Sequence, residues 1–294
     1  MKFSRAGYGL LAAVLFGAST PMAKLSIQGI QPLMLAGLLY LGSGVGLMIT
    51  VCIIGIGKFK ELKLSELSRR EASFFLGAIV FGGMIAPVLL MVGLTRVDGA
   101  IASLLLNLEG ALTALLACVV FHEKYGRRLV IGLIFIVLGG VILASTGQDR
   151  FQGSLTGILF IAGACASWAI DNNFTNQVRS IEAPVLAAIK GLTSGIVNVG
   201  LAMIIGQTFP TLGKTAAAAA IGFVGYGLSL VFFILSLRKI GAARTSAYFS
   251  TAPFVGAAIS LAILHEPMHL RIGIAGALMA IGVYLHLTEQ APAS

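Results

Sequence analysis

The chain has 294 residues, of which 57% are hydrophobic and 11% charged, with a mean hydropathy of +0.98. A soluble domain carries roughly twice that charged fraction, so a water-soluble enzyme or binding module is excluded. The formal net charge of +9 does not indicate nucleic acid, because the lysines and arginines fall in short gaps between apolar runs, with no basic face and no interleaved aromatics.

Crossing a bilayer takes about 20 apolar residues, and ten such runs follow one another along the chain. Helices are predicted over 6–27, 32–56, 72–94, 99–120 and 128–146, and again over 154–176, 184–206, 215–237, 243–264 and 270–288. Charges and turn residues fill the breaks: Lys58 to Glu71, His122 to Arg128, Gln148 to Gly153, Arg179 to Glu182, and Glu266 to Arg271. The first run follows Lys2 and Arg5 as a signal peptide would. It is long, contains Pro21 and Lys24 and leads into no soluble domain, so a retained helix is expected. Cys52, Cys118 and Cys165 lie inside predicted helices without paired spacing, which implies no disulfide framework, no metal site and no cofactor.

With the amino terminus inside, the inner segments hold fourteen basic residues: Lys2, Arg5, Lys58, Lys60, Lys63, Arg69, Arg70, Lys124, Arg127, Arg128, Arg179, Arg238, Lys239 and Arg244. The outer segments hold five, Lys24, Arg96, Arg150, Lys214 and Arg271, while Lys190 falls within a helix. This bias predicts both termini in the cytoplasm.

The chain also repeats itself. Leu94-Thr95-Arg96-Val97-Asp98-Gly99-Ala100 leads through an apolar stretch to His122-Glu123, and Leu237-Arg238-Lys239-Ile240-Gly241-Ala242-Ala243 leads through another to His265-Glu266, at a constant offset of 143 residues. Phe16-Gly17-Ala18-Ser19-Thr20-Pro21-Met22 can likewise be laid on Trp168-Ala169-Ile170-Asp171-Asn172-Asn173-Phe174. Five helices per half is an odd number, so the second half enters the membrane from the opposite side. The expected fold is therefore an all-α integral membrane protein of about ten transmembrane helices, arranged as two inverted five-helix repeats over 1–148 and 149–294.

At these residues the chain resembles the drug/metabolite transporter superfamily, specifically ten-helix members with two EamA-type repeats. The aromatic-small pattern of the family's first helix stands here as Phe16-Gly17 and Trp168-Ala169. Its Glu-Pro pattern with a later loop glutamate stands as Glu109-Gly110 with Glu123 and as Ala252-Pro253 with Glu266, so each half keeps one member of the pair. Within the family the chain is similar to bacterial aromatic amino acid exporters of the YddG type. The resemblance implies export of small metabolites by alternating access, with helices 1, 3, 4 and 6, 8, 9 rocking around a central cavity.

A charge near the bilayer centre costs at least about 2.5–3.5 kcal/mol on insertion scales and persists only for a reason. Glu109 is expected near the midplane, either binding the ammonium of a substrate or carrying a coupling proton, or else bonded to neighbouring backbone as a neutral acid. Asp171 and Lys190 are expected at matching depth on adjacent helices, as a structural ion pair or as a gate that works by pair exchange. Asn172 and Asn173, with Asn107 and Ser250 at equivalent places in the repeat, form a set of neutral polar contacts. Ser19 joins them from the first helix.

Trp168, the only tryptophan, sits too deep for the interfacial belt. With Phe16, Tyr226, Tyr248 and Phe249 it is expected to line an aromatic cavity. Pro21, Pro87 and Pro253 are expected to interrupt helices 1, 3 and 9. Gly42-x-x-x-Gly46 and Gly191-x-x-x-Gly195 offer close helix contacts.

Enzymatic readings find little support. Neither His-Glu pair is followed by a second histidine at helical spacing, and no nucleophile elbow, P-loop or dinucleotide fingerprint is present. The reading that follows is a secondary transporter exporting neutral or aromatic amino acids through the lipid bilayer, with protons as a candidate coupling ion. Carriage of cationic drugs, nucleosides or sugar-linked metabolites is the alternative. A lipid-modifying membrane enzyme is the remote one.

Overall fold

A computed structural model describes residues 7–54, 67–122, 126–144, 151–240, 245 and 248–288. Glu123, the basic residues Lys2, Arg5, Lys58, Lys60, Lys63, Lys124, Arg150 and Arg244, and the repeat segment Gly241-Ala242-Ala243 lie outside the described residues.

The described chain is helical, in the order expected. Helix α1 spans Gly7–Ser26 and α2 Pro32–Ile54. Helix α3 starts as Arg69–Ala78, passes through a π-helical turn at Ile79–Ile85 and continues as Ala86–Leu94. Helix α4 is built of Gly99–Leu105 and Asn107–Phe121, and α5 spans Arg127–Ala144. Helices α6 and α7 are Phe151–Gln177 and Ala183–Ile204. Helix α8 runs through Leu212–Gly222, a π-helical turn at Phe223–Leu228, and Ser229–Ile240. Helices α9 and α10 are Ala252–Ile263 and Leu270–Leu287. Among the described residues, nine helices are long and apolar enough to cross a membrane, and α9 adds a shorter apolar one.

The expectation of a break at Pro21 needs correction. Pro21 lies inside an unbroken α1, because a single missing donor is tolerated in a tightly packed membrane helix. Pro253 does stand at an interruption: helical residues 248–249 lead into a turn at Ser250 and Thr251, and Pro253 falls in the first turn of Ala252–Ile263, where its missing N–H would have had no partner anyway. Pro87 also marks a disturbance: it lies in the first turn of the helical segment that leaves the π-turn, and it cannot donate to the Gly83 carbonyl four residues earlier. That carbonyl instead accepts from Asn198 Nδ2 of α7 at 3.1 Å.

Three local features recur at an offset of 143 or 144 residues. The π-turns begin at Ile79 and Phe223. Helix α4 breaks at Leu106, and a turn at Ser250 and Thr251 precedes α9. His122 and His265, each closing the C-terminal end of its helix region, adopt left-handed φ values of 55° and 53°.

The pairing of helices follows the same pattern. Helix α1 packs on α9 and α8 as α6 packs on α4 and α3, and α2 packs on α7 and α5 on α10. Close approach of α2 and α7 depends on glycine: a Cβ on Gly191 would lie 2.9 Å from the Gly44 backbone, inside any real contact. The main apolar core joins Met34, Leu35, Leu90, Met91, Leu94, Leu105 and Ile161, each at most 1% exposed, and so ties α2, α3, α4 and α6 together.

Candidate functional site

Two cavities of about 550 and 260 Å³ lie side by side in the bundle, and Phe16, Glu109, Phe233 and Phe249 line both. The larger is walled by α4, α5, α9 and α10, reaching from Asn107 and Ser250 to Leu129, His286 and Leu287. The smaller is walled by α2, α6, α7 and α8, reaching from Tyr40 and Trp168 to Leu47 and Ala187. Both therefore extend from mid-bundle toward one side, the side bearing the α6–α7 connection and the end of α10. The interrupted region of α4 and the turn before α9 place Leu106, Asn107, Phe249 and Ser250 on the wall of the larger cavity. Irregular backbone at membrane depth is tolerated where protein or a water-filled cavity satisfies it.

An unbroken run of aromatic rings crosses the shared wall. Ring centroids are 5.9 Å apart for Tyr40 and Tyr226, 5.9 Å for Tyr226 and Phe16, 5.2 Å for Phe16 and Phe249, and 4.9 Å for Phe249 and Phe233. These separations lie in the range of favourable tilted and edge-on contacts. The run joins α2, α8, α1 and the segment before α9, four elements that share no sequence neighbourhood.

Two charged groupings face this wall. Glu109, in the first turn of the second half of α4, accepts from Asn172 Nδ2 at 3.0 Å, and the same amide lies 3.2 Å from Thr113 Oγ1. Lys190 Nζ of α7 lies 2.9 and 2.6 Å from the two carboxylate oxygens of Asp171 on α6. The Asp171 side chain is 4% exposed and that of Lys190 17%, so the pair is nearly dry on one member and cavity-facing on the other. Thr175 Oγ1 adds a further donor to Asp171 at 3.0 Å. Chemically, the site offers one carboxylate free to meet an ammonium, one neutralised ion pair and an aromatic surface for an apolar side chain.

Trp168 lines the smaller cavity but is only 8% exposed. Its indole Nε1 donates to the Gly82 carbonyl at 3.0 Å, which also accepts from Tyr40 Oη at 2.8 Å. Gly82 belongs to the π-turn of α3. The wider winding there releases a carbonyl from the helical ladder, and two cavity aromatics take it up.

Of the residues singled out from the sequence, Phe16, Asn107, Glu109, Trp168, Asn172, Tyr226, Phe249, Ser250 and Pro253 line one or both cavities, as do Asp171 and Lys190. Three expectations on cavity lining need correction. Asn173 is buried and donates to the backbone of Thr113 and Ala169, because the next residue along a helix points about 100° away. Ser19 donates to the Phe16 carbonyl and is 3% exposed against Gly225 of α8. Tyr248 packs against Gly9 of α1 and lines neither cavity.

Sequence reasoning missed Tyr40, Phe233 and His286. Tyr40 carried one usable signal, being a phenol in the middle of an apolar helix where its hydroxyl needs a partner.

On the opposite side of the bundle the helices meet directly. Lys24 Nζ donates to the Leu94 and Val97 carbonyls where α3 finishes. The Glu266 carboxylate accepts from the Gly99 and Ala100 backbone N–H groups at the start of α4.

The EamA-like transporter family description matches residues 5–145 and again 155–288. An "uncharacterized transporter" of Methanothermobacter thermautotrophicus is 24% identical, over 94% of this chain and 84% of that protein. A "probable amino-acid metabolite efflux pump" of Escherichia coli is 24% identical over 58% of this chain and 53% of its own length. A solved crystal structure shares the fold over 96% of both chains, with a TM-score of 0.67 and 18% identity.

Proposed function

The chain belongs to the EamA-like transporter family, and we propose that it is a secondary carrier that exports neutral or aromatic amino acids from the cytoplasm by alternating access. In this reading the two halves, 1–148 and 149–294, form an inverted repeat in a bacterial inner membrane, with both termini and the open cavities facing the cytoplasm. The recurrence of π-turns, helix breaks and left-handed histidines at offsets of 143 or 144 residues supports the two-half reading, as do the two segments that match the family.

The observation that carries the substrate reading is the shared cavity wall. Glu109, hydrogen-bonded to a single amide, stands beside the rings of Phe16 and Phe249. An α-ammonium on Glu109 with a ring laid along that wall satisfies both. The cavity's about 550 Å³ falls in the range of small-molecule sites. The relative named as an amino-acid metabolite efflux pump supports the same class.

A second reading, carriage of organic cations, is favoured by the same carboxylate, since aromatic walls also attract a cation. Uptake of a labelled panel of amino acids and of amines lacking the carboxylate, into liposomes holding the protein, with and without a pH gradient, separates the two. Saturable uptake of aromatic amino acids supports the first reading. Uptake confined to amines supports the second.

A further inference from the structure

Two features outside the cavities meet where α4 and α9 cross on the closed side of the bundle. The first is Glu266, in the turn between α9 and α10. Its two oxygens accept separately from consecutive backbone groups, Gly99 N–H at 2.6 Å and Ala100 N–H at 2.8 Å. One carboxylate thus fastens the end of α9 to the beginning of α4, some 166 residues away in sequence. The second is a pair of stranded hydroxyls. Ser103 Oγ and Ser260 Oγ are 1% and 0% exposed and have no hydrogen-bond partner among the described residues.

Both hydroxyls sit in the contact between the two helices. A Cβ on Gly256 of α9 would lie 2.8 Å from Ser103 Oγ, and a Cβ on Gly99 of α4 would lie 2.8 Å from Ser260 Oγ. Gly17 of α1 closes against the same part of α9, at Gly256 N. A dry hydroxyl without a partner is unfavourable relative to alanine in the same space. Its presence on both faces of one seam is accounted for if the seam is dry in only part of the working cycle.

We propose that the α4–α9 seam is the half of the solute pathway opposite the cavities, shut in this conformation, and that Glu266 is its latch. When α4 and α9 part, Glu266 releases the two N–H groups, and Ser103 and Ser260 face water and the passing solute. The orphaned hydroxyls of the shut state become hydrogen-bonding groups of the open one. This inference rests on the carrier reading above, because a chain that never opens on that side has no use for either device.

The test uses the full chain in liposomes, with Cys52, Cys118 and Cys165 replaced by alanine and one reporter introduced as Ser260→Cys. The probe is a membrane-impermeant methanethiosulfonate reagent. With Glu266 in place labelling is slow; Glu266→Gln, which leaves one acceptor oxygen for the two N–H groups and sets a donor against the other, raises the rate about tenfold, a shift of about 1.4 kcal/mol in the opening equilibrium. Ala100→Pro, which removes one of the two donors in a first turn that accepts proline, raises it as well and serves where Glu266→Gln does not fold. A chain keeping only the buried Cys165 stays unreactive in each background, which separates opening from unfolding. Labelling indifferent to both substitutions, in a protein that does carry solute, overturns the latch. Labelling that depends on Glu266 in a protein that carries nothing on the panel supports the latch and counts against the carrier reading alone.

Discussion

Asp171 and Lys190 face each other across α6 and α7, with the lysine Nζ within 2.9 Å of both carboxylate oxygens and inside the wall of a cavity. The glycine at position 82 makes room for this pair: the Asp171 carboxylate lies where a side chain on α3 would have to go. Breaking a buried pair from one side leaves an uncompensated charge, which costs about 3–5 kcal/mol, whereas replacing both members by apolar groups is often neutral. Asp171→Asn is therefore expected to lower the thermal unfolding midpoint in detergent sharply. Asp171→Asn combined with Lys190→Met recovers most of the loss, and the recovery identifies the ion pair rather than either side chain as the stabilising unit.

Glu109→Gln keeps the shape of the side chain and its neighbour Asn172 but removes the charge. If Glu109 receives an ammonium, the lost charge-assisted bond, about 1.5–3 kcal/mol, lowers uptake at low substrate by about tenfold or more. The pH dependence of uptake flattens in the same variant if this carboxylate also carries a coupling proton. Initial rates measured across pH, for wild type and variant, check both.

The aromatic run predicts a selective loss. Phe16→Ala and Phe249→Ala remove rings from the middle of the run and are expected to weaken aromatic solutes more than aliphatic ones, since a base-line loss of packing affects both. Trp168→Phe serves as the contrast: it deletes the indole donor to Gly82 while keeping a ring, so it changes stability by about 1 kcal/mol and leaves the preference between solutes nearly intact. Competition against one labelled solute measures the preference in each variant.

Asn198 answers the carbonyl that Pro87 leaves unpaired. Asn198→Ala strands the Gly83 carbonyl in a buried place, at a cost of about 1–3 kcal/mol. The same variant combined with Pro87→Ala restores a donor within α3, and its unfolding midpoint returns toward that of the Pro87→Ala chain alone.

The helical frame was legible because the crossings are runs of apolar residues bounded by charges, as with Arg69 and Arg70 at the start of α3 and Arg127 and Arg128 at the start of α5. The charged members of the site were legible for a related reason. Glu109, Asp171 and Lys190 are expensive at membrane depth, so their presence announces a role whatever their orientation. Orientation itself was not legible. Helices that are apolar on nearly all sides do not reveal which face meets the cavity, so Asn172 and Asn173 could not be told apart, and Phe233 looked like any lipid-facing phenylalanine.

The π-turns were illegible for a different reason. In the α3 turn the carbonyls that leave the helical ladder are taken up by partners from other helices, Tyr40 and Trp168 on Gly82 and Asn198 on Gly83. No local propensity announces that arrangement. The Glu266 contact with α4 was hidden in the same way, although the repeat had drawn notice to the residue.

The most direct test of a carrier that alternates access around the shared aromatic wall is counterflow. Liposomes holding the purified protein are loaded with unlabelled phenylalanine and diluted into a trace of labelled phenylalanine, with no other gradient imposed. The account predicts transient accumulation of label above its outside concentration, abolished in empty liposomes and reduced by Phe16→Ala. Label that only equilibrates, at the rate seen in empty liposomes and with the protein shown to be folded, would contradict it.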